Sequence, residues 1–375
     1  MSKLGIVITG YNRADSMRNL LNNLLCIKTN VEIPLEISID NGGTPDLNRI
    51  AEEFVWPFGE KTVTIHRQKL GLVKHFIWAG DQTERFSNVL FLEDDLLVSP
   101  EIINYSLKLI DFYENDEHIA AASLYNPVLV EATGTKFYQL QDDYDAYFLQ
   151  QPYWGNIWFK KRWQEFKQYL KTYEVKPDLL PPNIIGWESS FKKIYIQFLV
   201  ETNKTVVTPK ISVVTNNGIP GIHGGSMYAY QSQLQLETKN YTFPKFAQSK
   251  SRYDCFEEIE SDILAHYNKD LRNYDFVVDL LGTRTIYNKP YVLTTRKSLK
   301  PILTYSSLMK PTELSVVLNI KGDEKVVLTR REDIVRQKSF ERKRRYFDIK
   351  KNYHIGVWAS IQISKDLIKR ILKLT

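Results

Sequence analysis

The chain has 375 residues, of which 43% are hydrophobic and 25% charged, and carries a formal net charge of +6. This is the makeup of an ordinary soluble protein, long enough for one large domain or a main domain with an appendage. Cys26 and Cys255 are the only cysteines, which argues against a disulfide framework or a cysteine zinc site. With no signal peptide and no apolar run near about 18 residues, a cytoplasmic location is expected.

Residues 4–8 form an apolar run that predicts a buried strand, ending in Thr9-Gly10-Tyr11-Asn12-Arg13. A helix follows, with Met17, Leu20, Leu21, Leu24 and Leu25 on one face. The second strand, 35–39, ends on Asp40 before Asn41-Gly42-Gly43, a turn that lets backbone approach a ligand closely. A third strand at 63–66 leads to Gly71-Leu72-Val73-Lys74-His75-Phe76 and a helix through Trp78.

The fourth strand is the informative one. Val89, Leu90, Phe91 and Leu92 read as a buried parallel strand that stops on three acids, Glu93, Asp94 and Asp95. At an effective dielectric of about 20, two unit charges roughly 4 Å apart cost about 4 kcal/mol. A divalent cation is the economical way to hold them, and oxygen-only ligands favour Mg²⁺ or Mn²⁺ with positions open for phosphates. Ser99 is the expected N-cap of the next helix, with Pro100 at its first position and Ile102, Ile103, Leu107 and Ile110 on its apolar face. Strand, acidic loop and helix put the acids at the carboxyl end of the sheet, where open α/β folds bind ligands.

Residues 119–124 and 147–149 continue the sheet, and 162–170 is a helix. The alternation of strand and helix predicts a doubly wound, mostly parallel α/β sheet. Neither GxxxxGKS/T nor GxGxxG follows the first strand, which argues against a P-loop NTPase and a Rossmann dehydrogenase. The second acidic cluster, Gln141-Asp142-Asp143-Tyr144-Asp145, reads as a solvated loop.

The segments TGYNRADSMRNLLNNLL, ISIDNGG, GLVKHFIWAGDQ and VLFLEDDLLVSPEIINYS, in that order, resemble the GT-A glycosyltransferases, family 2-like bacterial enzymes among them, and most closely the N-acetylglucosaminyltransferase I family. The resemblance spans roughly residues 3–235. It implies a GT-A fold and metal-dependent, inverting transfer of a sugar from a nucleotide-sugar donor, UDP-linked, to a glycan or lipid-linked oligosaccharide acceptor. It also implies that Asp95 binds Mn²⁺ or Mg²⁺, that Glu93 and Asp94 contact donor sugar or ribose, and that Arg13, Asp40 and His75 hold the uridine. Thr9 and Lys74, in the same motifs, are further candidate donor contacts. The segment PKISVVTNNGIPGIHGGSMYAYQSQL resembles the family's loop over the bound donor, with His223 its candidate ligand.

An inverting transfer needs a carboxylate near the acceptor hydroxyl. Where the family has W-D-D this chain has Trp187-Glu188-Ser189, making Glu188 the candidate base, and Tyr153, Trp154, Gly155 and Trp187 a candidate acceptor platform. A carboxylate in the first turn of the following helix is the bland alternative for Glu188. We expect a GT-A domain over 1–240, with a donor half (1–125) and an acceptor half (126–240), and a C-terminal extension over 241–375. The extension carries strands at 274–281 and 291–294 and a hairpin over 314–329. Ten Arg or Lys stand against four Asp or Glu over 330–351, and the last residues make a basic amphipathic helix. An anionic membrane surface is the expected partner there, and nucleic acid is not. Bacterial surface polysaccharide synthesis fits these features by analogy. A sugar-phosphate nucleotidyltransferase and a non-catalytic glycan- or membrane-binding scaffold are the competing readings.

Overall fold

The computed structural model describes residues 3–219 and 227–335. The first half alternates strand and helix: β1 (Gly5–Gly10), α1 (Ala14–Leu24), β2 (Leu35–Ile39), α2 (Pro45–Glu53), which the sequence reading did not single out, β3 (Lys61–Ile65), starting two residues before the expected strand, α3 (Leu72–Asp81) and β4 (Asn88–Glu93). Next come β5 (Leu96–Val98), α4 (Ile102–Tyr113), β6 (Ile119–Ser123), β7 (Ala146–Leu149), β8 (Asn156–Phe159) and α5 (Lys160–Leu170). After the short α6 (Pro182–Ile185) follow α7 (Phe191–Glu201), β9 (Thr205–Pro209), β10 (Val214–Asn216) and β11 (Arg252–Tyr253).

Among the described residues, nine strands form one sheet in the order β11-β7-β9-β6-β8-β4-β1-β2-β3. The β4-β1-β2-β3 block is parallel, and β8 enters antiparallel between β4 and β6. Alternation along the strands feeds two cores. Ile6, Ile8, Leu90 and Leu92 pack with α1, α2 and α4 on one face, while Val7, Val89 and Phe91 pack with α3, α5 and α7 on the other. This is a mixed α/β sheet covered on both sides, with the carboxyl ends of β1, β2 and β4 side by side.

Two local expectations are corrected. Residues 96–98 form a strand because they pair antiparallel with β10, so α4 starts later, at Ile102. Ser99 is fully buried and its Oγ accepts from the Glu101 N–H at 2.9 Å. In the C-terminal part, residues 313–317 are helical rather than the first arm of a hairpin. That helix packs on another over Ser261–Tyr267, and tertiary packing overrides the strand propensity of its valines. A four-stranded sheet of β12 (Phe276–Asp279), β13 (Tyr291–Thr294), β14 (Leu303–Tyr305) and β15 (Val326–Arg330) lies beyond β11 in the chain. Its core is continuous with Tyr147 and Leu149 of β7, and β11 carries the main sheet past residue 240. The basic run from residue 336 and the C-terminal amphipathic helix lie outside the described residues. No described helix is long and apolar enough to cross a membrane.

Candidate active site

The acids arrive where the strand pattern sends them. Glu93 is the last residue of β4, in register with Thr9 of β1, and Thr9 is in turn in register with Ser38 of β2. Gly10 allows this crowding, since a Cβ there would lie 2.7 Å from Met17 Cε. Gly43 is more constrained: its Cβ would fall 1.8 Å from the Tyr11 carbonyl oxygen, so the loops after β1 and β2 touch only because that residue is glycine.

Arg13, just before α1, donates to both acids that follow β4. One guanidinium nitrogen reaches Asp94, and another reaches Asp95 Oδ2 at 2.5 Å. Asp94 is 2% exposed. Burial pushes its carboxyl up to about 6 in spite of Arg13, with Asp95 adding to the rise. Glu93 keeps some surface but is enclosed on most sides, and burial followed by repulsion from Asp95 raises it to about 8. Arg13, expected at the uridine, is thus paired with the acids. Even with Glu93 protonated near pH 7, one guanidinium against Asp94 and Asp95 leaves a negative surplus, which a divalent cation would neutralise while drawing the proton from Glu93. Among the described residues no three acidic, His or Cys side chains converge into a ready cage. Mg²⁺-type sites commonly use one or two carboxylates and take the rest from phosphates and water, so Asp95 and Glu93 fit such an ion.

Asp40 is 4% exposed, and its carboxylate accepts from the backbone N–H groups of Asn41 (2.8 Å), Leu70 (2.7 Å) and Gly71 (2.8 Å). Burial alone would raise this acid, but the three N–H donors outweigh it and hold it below its ordinary value. It fastens the start of α3 to the end of β2, leaving limited acceptor capacity for a base.

His75, expected at the uridine, is a buried histidine in this structure. It is 6% exposed, its Nε2 lies 2.7 Å from Ser38 Oγ, and Ser38 also meets His66 Nε2 at 2.9 Å. The His75 and His66 rings pack edge to face. Burial, then the neighbouring His66, lowers His75 from 6.5 to about 4. Because the folded value lies below the ordinary one, the stability linked to its neutral form is complete above about pH 6.5 and is lost as pH falls toward 4. At about 1.36 kcal/mol per pKa unit this is a loss on the order of 3 kcal/mol. In denaturant unfolding at pH 7 and pH 4.5, His75→Gln is expected to lose clearly less stability on acidification than wild type. Equal losses would show that His75 does not carry this acid sensitivity.

Lys74 and Glu188 come together in a groove of about 360 Å³, which Gly71, Leu72, Tyr173 and Ser190 also line. Leu70 and Gly71, whose N–H groups bind Asp40, belong to the same wall. Glu188 is exposed and lies before α7 rather than in its first turn, because Ser190 caps that helix by accepting from the Lys193 N–H at 3.2 Å. Lys193, which sequence reasoning missed, holds the turn from inside, its Nζ donating to the carbonyls of Ile185 (2.8 Å) and Trp187 (2.9 Å). Only the contact itself identifies it; a lysine in an apolar helix carries no such signal.

Of the expected acceptor platform, Trp187 is 38% exposed beside Glu188. Tyr153 is tied by its hydroxyl to Glu257 at 2.7 Å, Trp154 packs against Tyr125, and Gly155 takes φ +65 against Val214. The 141–145 cluster is solvated only in part: Gln141 and Asp143 are exposed, whereas Asp142 pairs with Lys210 at 2.5 Å and Asp145 accepts from the Thr242 N–H at 2.7 Å. A further missed contact is Asn217, whose N–H donates to the Asp95 carbonyl at 2.8 Å and whose side chain reaches Ser16 Oγ. The segment resembling the donor-covering loop thus meets the acid turn at Asn217. His223 lies outside the described residues.

No family model matches the chain, and no curated protein does. Among solved structures it is similar to S. aureus TarS 1–349 in complex with UDP-GlcNAc, at 14% identity and a TM-score of 0.41, covering 59% of this chain and 60% of that one. It is also similar to the mannosyltransferase PcManGT from Pyrobaculum calidifontis in complex with GDP-Man and Mn²⁺, at 12% identity and a TM-score of 0.33, covering 45% of this chain and 46% of that one. The chain thus spans about three fifths of the TarS fragment and under half of the mannosyltransferase. These scores are low, and the functional reading rests on the side chains of the cleft.

Proposed function

We propose that the chain is a GT-A-type glycosyltransferase that moves a sugar from a nucleotide donor, UDP-linked, to a glycan acceptor with inversion. The observation that carries this reading is the acid turn after β4. Glu93, Asp94 and Asp95 stand beside the ends of β1 and β2, and burial pushes Glu93 to about 8 and Asp94 to about 6. A site that strains three carboxylates against one arginine is arranged for a cation bound together with an anionic ligand.

In this reading Asp95 and Glu93 hold Mn²⁺ or Mg²⁺, with Asp94 fixed behind them by Arg13. The metal ion, when bound, offsets the charge that develops on the diphosphate leaving group. Lys74, exposed at the start of α3, is a further cation for the donor. Glu188 takes the proton of the acceptor hydroxyl as its oxygen bonds to the anomeric carbon and the bond to diphosphate oxygen breaks. A single displacement of this kind inverts the anomeric configuration.

A thermal-shift series with UDP-sugars, with and without Mn²⁺, tests the reading. A donor present at about 100 times its Kd should add about 2.7 kcal/mol of stability, and the shift should depend on the metal. Donor turnover should release UDP and no sugar 1-phosphate. Pyrophosphate-dependent release of sugar 1-phosphate with formation of UTP would point instead to nucleotidyl transfer, and a metal-independent shift would remove the cation from the site.

A further inference from the structure

We propose that a second cavity, between the 130–138 loop and the C-terminal sheet, binds a saccharide carrying negative charge. This goes beyond the donor-cleft reading and shares none of its residues. The cavity encloses about 620 Å³, within the range of about 300–1,000 Å³ usual for ligand pockets. Its walls are largely apolar, with Val130, Phe137, Leu280, Leu281 and Val327 among them, and Tyr138 adds a phenol. Apolar and aromatic walls suit the C–H faces of a sugar ring.

Its floor is polar and built. Glu257 is 3% exposed, and its carboxylate accepts from the Tyr153 hydroxyl at 2.7 Å and from the Glu131 N–H at 3.0 Å. Its backbone takes φ +60, a left-handed conformation that persists in a glutamate only where the surroundings impose it. Glu258 beside it is 2% exposed, and its Oε1 accepts from the Leu281 N–H at 2.6 Å. Among the described residues, no hydrogen bond reaches its other oxygen. Burial raises Glu257 to about 7 and Glu258 further above the carboxylate range. A carboxyl that keeps its proton both donates and accepts, which matches sugar hydroxyls.

The walls also carry Lys136, Lys297, Lys310 and Lys325, all exposed, and the buried Arg296, against the acids Glu313 and Glu324. These five bases outnumber the four lining acids even with both floor carboxyls ionised, so the cavity is positive near pH 7. That favours uronate, phosphate or sulfate substituents over a neutral glycan. The chemistry distributed over floor and walls disfavours an acyl chain, which would leave those groups unpaired.

The test uses the full chain, a hyaluronan tetrasaccharide and neutral cellotetraose, followed by saturation-transfer NMR and calorimetry. The uronate tetrasaccharide should bind wild type more tightly than cellotetraose does. Lys297→Glu, at an exposed position, should weaken it about tenfold, and Thr304→Trp, which fills the cavity, should abolish it. Both variants should keep the wild-type melting temperature and the same response to UDP-sugar and Mn²⁺ as wild type. No binding of the tetrasaccharide to wild type, or binding unchanged in both variants, overturns the site. Tighter binding of cellotetraose overturns its preference for anions. Loss of the UDP-sugar response in both variants overturns its separation from the cleft. Absence of any UDP-sugar response in wild type bears only on the donor reading.

Discussion

Asp95→Asn is expected to lower Mn²⁺-dependent sugar transfer by about 10²- to 10⁴-fold while leaving the fold in place. The side chain is 20% exposed and pairs with Arg13, which also holds Asp94. The amide keeps the volume and can still accept from the guanidinium, so little packing is lost. What disappears is one negative charge from an oxygen donor at the end of β4. Metal stabilisation of a leaving group is worth several kcal/mol, and about 1.36 kcal/mol corresponds to each factor of ten in rate. Two measurements together check the assignment: turnover against Mn²⁺ concentration, and the Mn²⁺-dependent thermal shift with donor. Asp95→Asn should weaken both. Wild-type values for both would move the metal site away from this turn.

The strands of the first half are legible because they are buried on both faces, so residues 4–8, 35–39 and 89–92 stand out as short apolar runs bounded by turn residues. The acids at the end of β4 are legible for the same reason, since nothing apolar continues the run. What surrounds the acids is not. Arg13 meets Asp94 and Asp95 only because β1 lies next to β4, a pairing that local pattern does not specify. Residues 96–98 defeat a local reading because their partner strand, β10, is remote in sequence. His75 sits at a helical position that periodicity finds correctly. Its partners there, Ser38 and His66 on β2 and just after β3, lie outside its helix and leave no local signal. Lys193 shows the same limit in reverse, a charged residue whose work is to satisfy buried carbonyls.

Glu188→Gln is expected to lower kcat by about 10²- to 10⁴-fold, the usual worth of a general base, with donor affinity near that of wild type. The structure gives this residue an accessible carboxylate in a groove shared with Lys74, on a turn that Lys193 fixes from below and Ser190 closes from above. Those supports do not involve the Glu188 side chain, so the amide should leave the turn and the melting temperature unchanged. Glutamine retains the hydrogen bond to an acceptor hydroxyl but cannot take its proton, which separates base catalysis from acceptor binding: kcat should fall while the acceptor KM changes little. Two other results are informative. A rise in acceptor KM at constant kcat would make Glu188 a binding residue of the groove. Loss of the UDP-sugar thermal shift would place it, with Lys74, on the donor, and the proton would then have to be taken by a carboxylate elsewhere in the cleft.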